Sequence, residues 1–261
     1  MAQCASEWRA QRLSSFFDFD CSSYKQAFRI YLFAFILFYF PWLLGGKLII
    51  PFRPSLETGI HETRKDGIEN RKFSDYFCFY IPEIKEHING RRSGWISTWT
   101  DQNELGRPLS HLSGFSPAYL PTWIMQKIIV DPYRFITLYS IGTCFLTGVF
   151  CLLLVMESGI SPLAGLLCAW LLATSPAMLY WLTFPMFISV WCWGAGIMYC
   201  VVRLEKGWHF RTWALLSFCS YSILMTGYPQ LVLLHIYLIG AYFAFCVALL
   251  WRRSGRDPAL R

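Results

Sequence analysis

The sequence predicts an all-α integral membrane protein with about six transmembrane helices and a long extracytoplasmic first loop that carries amphipathic interfacial helices. Three observations predict it. Residues 135–251 are nearly uninterrupted hydrocarbon. Of the 261 residues, 55% are hydrophobic and only 15% are charged, against about a quarter charged in a soluble domain. The basic residues bracket the apolar runs instead of forming a stripe, so the net charge of +7 points to anionic lipid and not to nucleic acid.

A helix crossing a bilayer needs about 20 mostly apolar residues. Residues 31–50 supply the first run, interrupted by Pro41, Gly45, Gly46 and Lys47. Residues 135–156 supply the second. The stretch 163–203 is too long for one crossing and too short for two relaxed ones. Pro162, Pro176 and Pro185 divide it, which predicts a short helix over 163–175, a bend, and a helix over 186–203. Neighbouring helices resatisfy the backbone at such prolines. Residues 212–227 and 231–251 complete the set. The N-terminal segment has no short apolar core behind a basic start, so the first run is expected to stay as an anchor.

The flanks set the orientation. Arg9, Arg12, Lys25 and Arg29 precede the first run, Arg203, Lys206 and Arg211 separate the fourth from the fifth, and Arg252, Arg253, Arg256 and Arg261 follow the sixth. Six crossings put all three clusters on one side, the cytoplasm by the positive-inside rule. The chain then reads as a single membrane domain. It has a cytoplasmic N-terminus (1–29), an extracytoplasmic loop (51–134), a helical bundle (135–251) and a cytoplasmic basic tail (252–261). The connector at Glu157 should share the cytoplasmic side but carries no cation.

Within the outer loop, Phe73, Tyr76, Phe77, Tyr80, Ile81, Ile84 and Ile88 share one helical face, and Lys72, Asp75, Glu83 and Glu86 fall on the other. That pattern suits a helix lying in the headgroup zone, kinked or restarted at Pro82. Residues 95–121 read as loop. Residues 118–130 form another interfacial helix, ended by Asp131 and Pro132. Most of the ten cysteines fall in apolar runs, without CxxC or zinc spacing, and read as small packing residues.

Four places have residues suited to chemistry. Asp75 and Glu86 lie three turns apart on one face, where paired carboxylates bind a divalent metal ion or take a proton from a hydroxyl; the same spacing also suits a solvated helix face. Asp101, Glu104, Arg107 and His111 crowd a loop with Trp95 and Trp99. Rings that stack on sugars, carboxylates that accept from hydroxyls and an arginine for phosphate fit a sugar site, and equally a structured loop with surface ion pairs. Gly227-Tyr228-Pro229-Gln230 places an amide on the outer face, or is simply a tight turn. His235, a turn into the last helix, is an intramembrane ionisable group or a hydrogen-bonded packing residue. No P-loop, HExxH, GxSxG or GxGxxG motif is present.

Ser74-Asp75-Tyr76, Pro82-Glu83, Asn89-Gly90, Trp95, Trp99 and Gly106-Arg107-Pro108-Leu109 occur in an order and spacing that resemble the first external loop of YfhO-like bacterial membrane proteins. Those proteins are similar to polytopic glycosyltransferases of the GT-C fold. Gly227-Tyr228-Pro229-Gln230 resembles the family's later Gly-His-Pro-Gln turn. The resemblance covers roughly residues 28–251. It implies a polyprenyl-phosphate sugar donor, an envelope glycan or lipid acceptor, and transfer outside the cytoplasm at a bacterial inner membrane. It gives Asp75 the role of base or metal ligand. It gives Trp99 the role of the family's aromatic, Gly106 and Pro108 the loop bend, and Tyr228, Pro229 and Gln230 the turn; together with Glu86, Asp101, Glu104 and Arg107 from the residue chemistry above, Trp99, Tyr228 and Gln230 make up the expected substrate site. Here Trp99-Thr100-Asp101 replaces the usual Trp-Asn-Pro, and Tyr228 replaces the turn histidine. The alternative expectation is a non-catalytic membrane assembly or lipid-handling subunit, or an inactive fragment of a larger transferase. A small-solute transporter is disfavoured by the scarcity of buried charge beyond His235 and Lys47 and by the lack of a repeat.

Overall fold

The computed structural model describes residues 24–49, 80–92, 99–100, 107–108 and 119–254, with the side chains of 91–92, 99–100, 107–108, 250 and 253–254 left aside. It is helical. In chain order the elements are α1 (Tyr24–Leu43), α2 (Ile81–Arg92), the two-residue strands β1 (Trp99–Thr100) and β2 (Arg107–Pro108), α3 (Leu120–Ile128), α4 (Pro132–Glu157), α5 (Pro162–Ala173), α6 (Pro176–Trp181), α7 (Pro185–Glu205), α8 (Phe210–Leu224) and α9 (Pro229–Ser254). Four of them, α1, α4, α7 and α9, are long and apolar enough to cross a membrane. The helices at the other two expected crossings, α5 and α8, have 12 and 15 residues.

Proline explains the segmentation. α4, α5, α6, α7 and α9 each begin with one, where the missing N–H costs nothing and the fixed φ favours the helix. Asp131 caps α4 by accepting from the backbone N–H groups of Tyr133 and Arg134. Ser161 and Ser175 cap α5 and α6 in the same way. The bend expected over 176–185 therefore contains a helix of its own. At the other end of α1, the helix runs past Pro41 and stops at Leu43, with Gly46 at φ +72° completing the turn. Lys47 lies beyond that turn and is exposed, so it is not a buried charge of a crossing helix.

α4 is the central helix, packed between α1, α5 and α7. Glu157, in its last turn, accepts from Arg203 Nη1 at 2.9 Å and pairs with Lys206 Nζ at 3.2 Å. Tyr139 in its second turn and Ser189 in the first turn of α7 are 2.9 Å apart. Both ends of α4 thus meet the matching ends of α7, and the two helices run parallel. The chain between them returns through α5 and α6. The connector at Glu157, which carries no cation itself, is joined to the basic α7–α8 cluster.

The opposite end is equally defined. Arg134, in the first turn of α4, donates to the carbonyls of Trp42, at 2.7 Å, and of Leu43. It satisfies carbonyls that the end of α1 leaves open. Thr137 Oγ1 accepts from Ile49 N at 3.0 Å. Between the two ends, α1 lays Tyr31 directly over Gly148, where an added Cβ would meet the Tyr31 hydroxyl at 1.9 Å. That close approach, with Tyr31 stacked on Phe145, brings the α1 and α4 backbones together.

Large apolar side chains cover the outside. Phe33, Leu37, Leu167, Leu171, Leu234 and Phe243 are exposed, as a helix bundle facing hydrocarbon requires. Cys144, Cys192, Cys200, Cys219 and Cys246 are buried free thiols, in keeping with packing roles.

Candidate functional site

The outer-loop helices do not simply lie flat beside the bundle. Ile81, Ile84 and Ile88 of α2 join the core cluster that also holds Tyr119, Tyr133, Phe135 and Ile136. Lys85 sits 5.7 Å from the centre of the Tyr133 ring. α2 packs on α3 and α4. Glu83, expected on the solvated face, is buried, as is His87 one turn on. The physical reason is that α2 is enclosed on more than its isoleucine stripe, so the charged face is covered too. His87 Nε2 lies 3.8 Å from Glu83 Oε1, too far for a hydrogen bond. Neither ring nitrogen of His87 has a hydrogen-bond partner among the described residues.

α3 is turned in a related way. Its Thr122 and Gln126 are buried while Leu120, Ile124 and Ile128 are exposed along one stripe. Lys127 Nζ sits 3.5 Å from the centre of the Trp123 ring. A polar face is thus turned inward and an apolar stripe outward. Tyr119, just before α3, is fully buried in an edge-to-face contact with Trp193, the rings 6.5 Å apart. Burial pushes its phenol pKa well above the ordinary value, with Tyr139 adding to the effect. The Tyr119 hydroxyl and Trp193 Nε1 have no acceptor among the described residues. Below them, Ser189 donates to Pro185 O at 2.7 Å, so the proton in the Tyr139–Ser189 bond comes from Tyr139.

The corner after α8 joins this end of the bundle. Gly227 has φ +76°, which the turn into Pro229 requires. Tyr228 packs on Phe187, with ring centres 4.5 Å apart. Phe187 and Phe184 meet at 6.2 Å, and Phe184 meets Tyr80, at the start of α2, at 6.0 Å. An aromatic ladder therefore connects the outer-loop helix to the corner. Gln230 is exposed beside it.

Of the residues predicted for the site, Asp75, Asp101 and Glu104 lie outside the described residues. Trp99 and Arg107 stand on β1 and β2, paired antiparallel with Trp99 opposite Pro108 and Thr100 opposite Arg107. This places their backbones side by side, in a stretch expected to be loop. Glu86 is half-buried on α2. From sequence, Glu83 is only a solvated-face and motif residue, and His87, Tyr119 and Trp193 are not singled out. The Glu83–His87 spacing of four was the available signal. Among the described residues no group of three or more His, Cys, Asp or Glu side chains converges as metal ligands do. His235 is half-buried, with Nδ1 3.0 Å from Leu231 O of its own helix and its ring over Gly194; it is tied within α9 and not to a neighbour.

No family model, no curated protein and no solved structure matches this chain.

Proposed function

We propose that the chain is a multi-pass protein of a bacterial inner membrane that transfers a sugar from a polyprenyl-phosphate donor to an envelope glycan or lipid. In this reading it crosses the membrane six times, with α5–α6 and α8 as the two short crossings and both termini in the cytoplasm. Transfer takes place at the end that carries α2, α3 and the Tyr228 corner. The observation that carries the proposal is the ladder Tyr80–Phe184–Phe187–Tyr228. It supports a single outer site assembled from two regions far apart in sequence.

Asp75, five residues before Tyr80, acts on the acceptor hydroxyl as base or through a divalent metal ion. Arg107 holds the donor phosphate, Trp99 stacks on a sugar, and Glu86, Asp101, Glu104, Tyr228 and Gln230 complete the substrate contacts. The leaving group is already a phosphate, so the protein supplies positioning and charge stabilisation.

The test is sugar transfer in proteoliposomes loaded with polyprenyl-phosphate sugar. Asp75→Ala is expected to lower turnover by at least about a hundredfold. Undiminished turnover in that variant overturns the role of Asp75. Absence of turnover in the unaltered chain, with envelope proteins co-purifying, favours the assembly-subunit reading instead.

A further inference from the structure

We propose that the junction between α7 and α8 is a binding site for anionic phospholipid headgroups, built from Arg203, Lys206, Trp208, Phe210 and Arg211. The proposal rests on the chain's embedding in a membrane and is independent of the sugar-transfer reading.

Exposure is the first observation. Trp208 and Phe210 are 82% and 86% exposed, and Trp208 is held 4.9 Å from the Trp213 ring. Two aromatic rings presented this way at a helix end are costly in water. They are favoured at the level of lipid headgroups, where one part of the ring is dry and another wet.

Charge is the second. Two carboxylates stand at the junction: Glu157 is buried and already engaged by both Arg203 and Lys206, and Glu205, the last residue of α7, is exposed. The Arg203 and Lys206 side chains are still 42% and 54% exposed. They keep N–H groups directed to the outside, since a guanidinium carries five and an ammonium three. Arg211 is exposed and is bound to no carboxylate among the described residues. A phosphate diester facing this junction would find three cations, with Glu157 buried behind two of them and Glu205 as the one exposed carboxylate beside them.

Placement is the third. α1 runs antiparallel to α4, its last turn bound by Arg134 and its Phe28 against Phe145, so its first turn lies at the Glu157 end. α9 starts beside Phe187 and passes His235 over Gly194, so it runs with α7 and ends where α7 ends. The same end therefore also presents Lys25, Arg29 and the exposed Trp251–Arg252 pair. Six cations and two carboxylates, Glu157 and Glu205, stand among the described residues of this end. A zwitterionic lipid presents no net charge to such a surface, whereas an anionic one gains roughly fivefold in binding per cation near the leaflet.

The test uses the full chain, equilibrated with mixed micelles of equal phosphatidylglycerol and phosphatidylcholine and then stripped of loosely held lipid. Retained lipid is counted by mass spectrometry. We expect phosphatidylglycerol to be retained over phosphatidylcholine by at least about fivefold. The double substitution Trp208→Ala with Arg211→Gln leaves the Glu157 pairings alone and should lower the ratio by about fivefold or more, the share of one cation together with the ring. If that variant does not keep the helical content of the unaltered chain, Arg211→Gln alone is measured, and its ratio should fall by at least about twofold. Equal retention of the two lipids by the unaltered chain overturns the proposal, and so does an undiminished preference in the folded variant.

Discussion

The Phe187 and Tyr228 rings, from the first turn of α7 and the corner before α9, pack with their centres 4.5 Å apart. Phe187 is at the same time stacked on Trp181, 4.1 Å away. It is the rung through which the corner reaches the rest of the aromatic ladder. Phe187 is half-buried, so Phe187→Ala should cost about 2 kcal/mol in stability, below the range of fully buried aromatic truncations. It should also free the corner, seen as faster labelling of a cysteine placed at Gln230. Phe187→Leu should keep most of the stability and lose the ring contact, worth about 1 kcal/mol.

The Glu157 cluster predicts an asymmetry. Glu157 is buried, whereas its two partners are about half exposed. Glu157→Gln leaves two cations that water can solvate, and after allowance for screening the expected cost is about 1 kcal/mol or less. Replacing Arg203 and Lys206 together by Gln strands a buried carboxylate, with an expected cost of about 3 kcal/mol. Thermal unfolding in a single detergent compares the two. Equal costs would show that the pairing is superficial.

Arg134 caps α1 from across the bundle. Arg134→Met keeps the aliphatic stem and removes the donors. The expected loss is about 1–2 kcal/mol, the range for a cation hydrogen-bonded at a helix C-terminus. Protease sensitivity just after Leu43 should rise with it, because the carbonyls of Trp42 and Leu43 lose their partner.

His87 is buried, and neither ring nitrogen is hydrogen-bonded among the described residues. A polar group enclosed in this way opposes folding, so His87→Leu should leave stability unchanged or raise it by about 1 kcal/mol. A loss of more than about 2 kcal/mol would show that the imidazole contributes to holding the site together.

Much of the architecture is legible in the residues themselves. The apolar runs, the prolines that divide them and the helix over 118–130 all correspond to elements found, because hydropathy and helix capping act locally. The misplacements have a common cause. Glu83 looked solvated because a single helical stripe assumes one buried face, and α2 is enclosed on more than one. The turn expected over 176–185 became α6 because Ser175 caps it and Pro176 opens it. Lys47 looked like a buried charge because the glycine turn ending α1 falls earlier than the apolar run does. The links that define the candidate site, Tyr80 to Phe184 and Phe187 to Tyr228, join residues distant in sequence. No local pattern records such pairs.

The account depends on the Tyr228 corner and the Trp208 junction facing opposite sides of the membrane. Single cysteines at Gln230 and at Trp208, in a chain freed of its other accessible thiols, can be treated in intact spheroplasts with a membrane-impermeant maleimide. The cysteine at Gln230 should react at once, and the one at Trp208 only after the membrane is opened. Prompt labelling at Trp208 with protection at Gln230 would contradict the account.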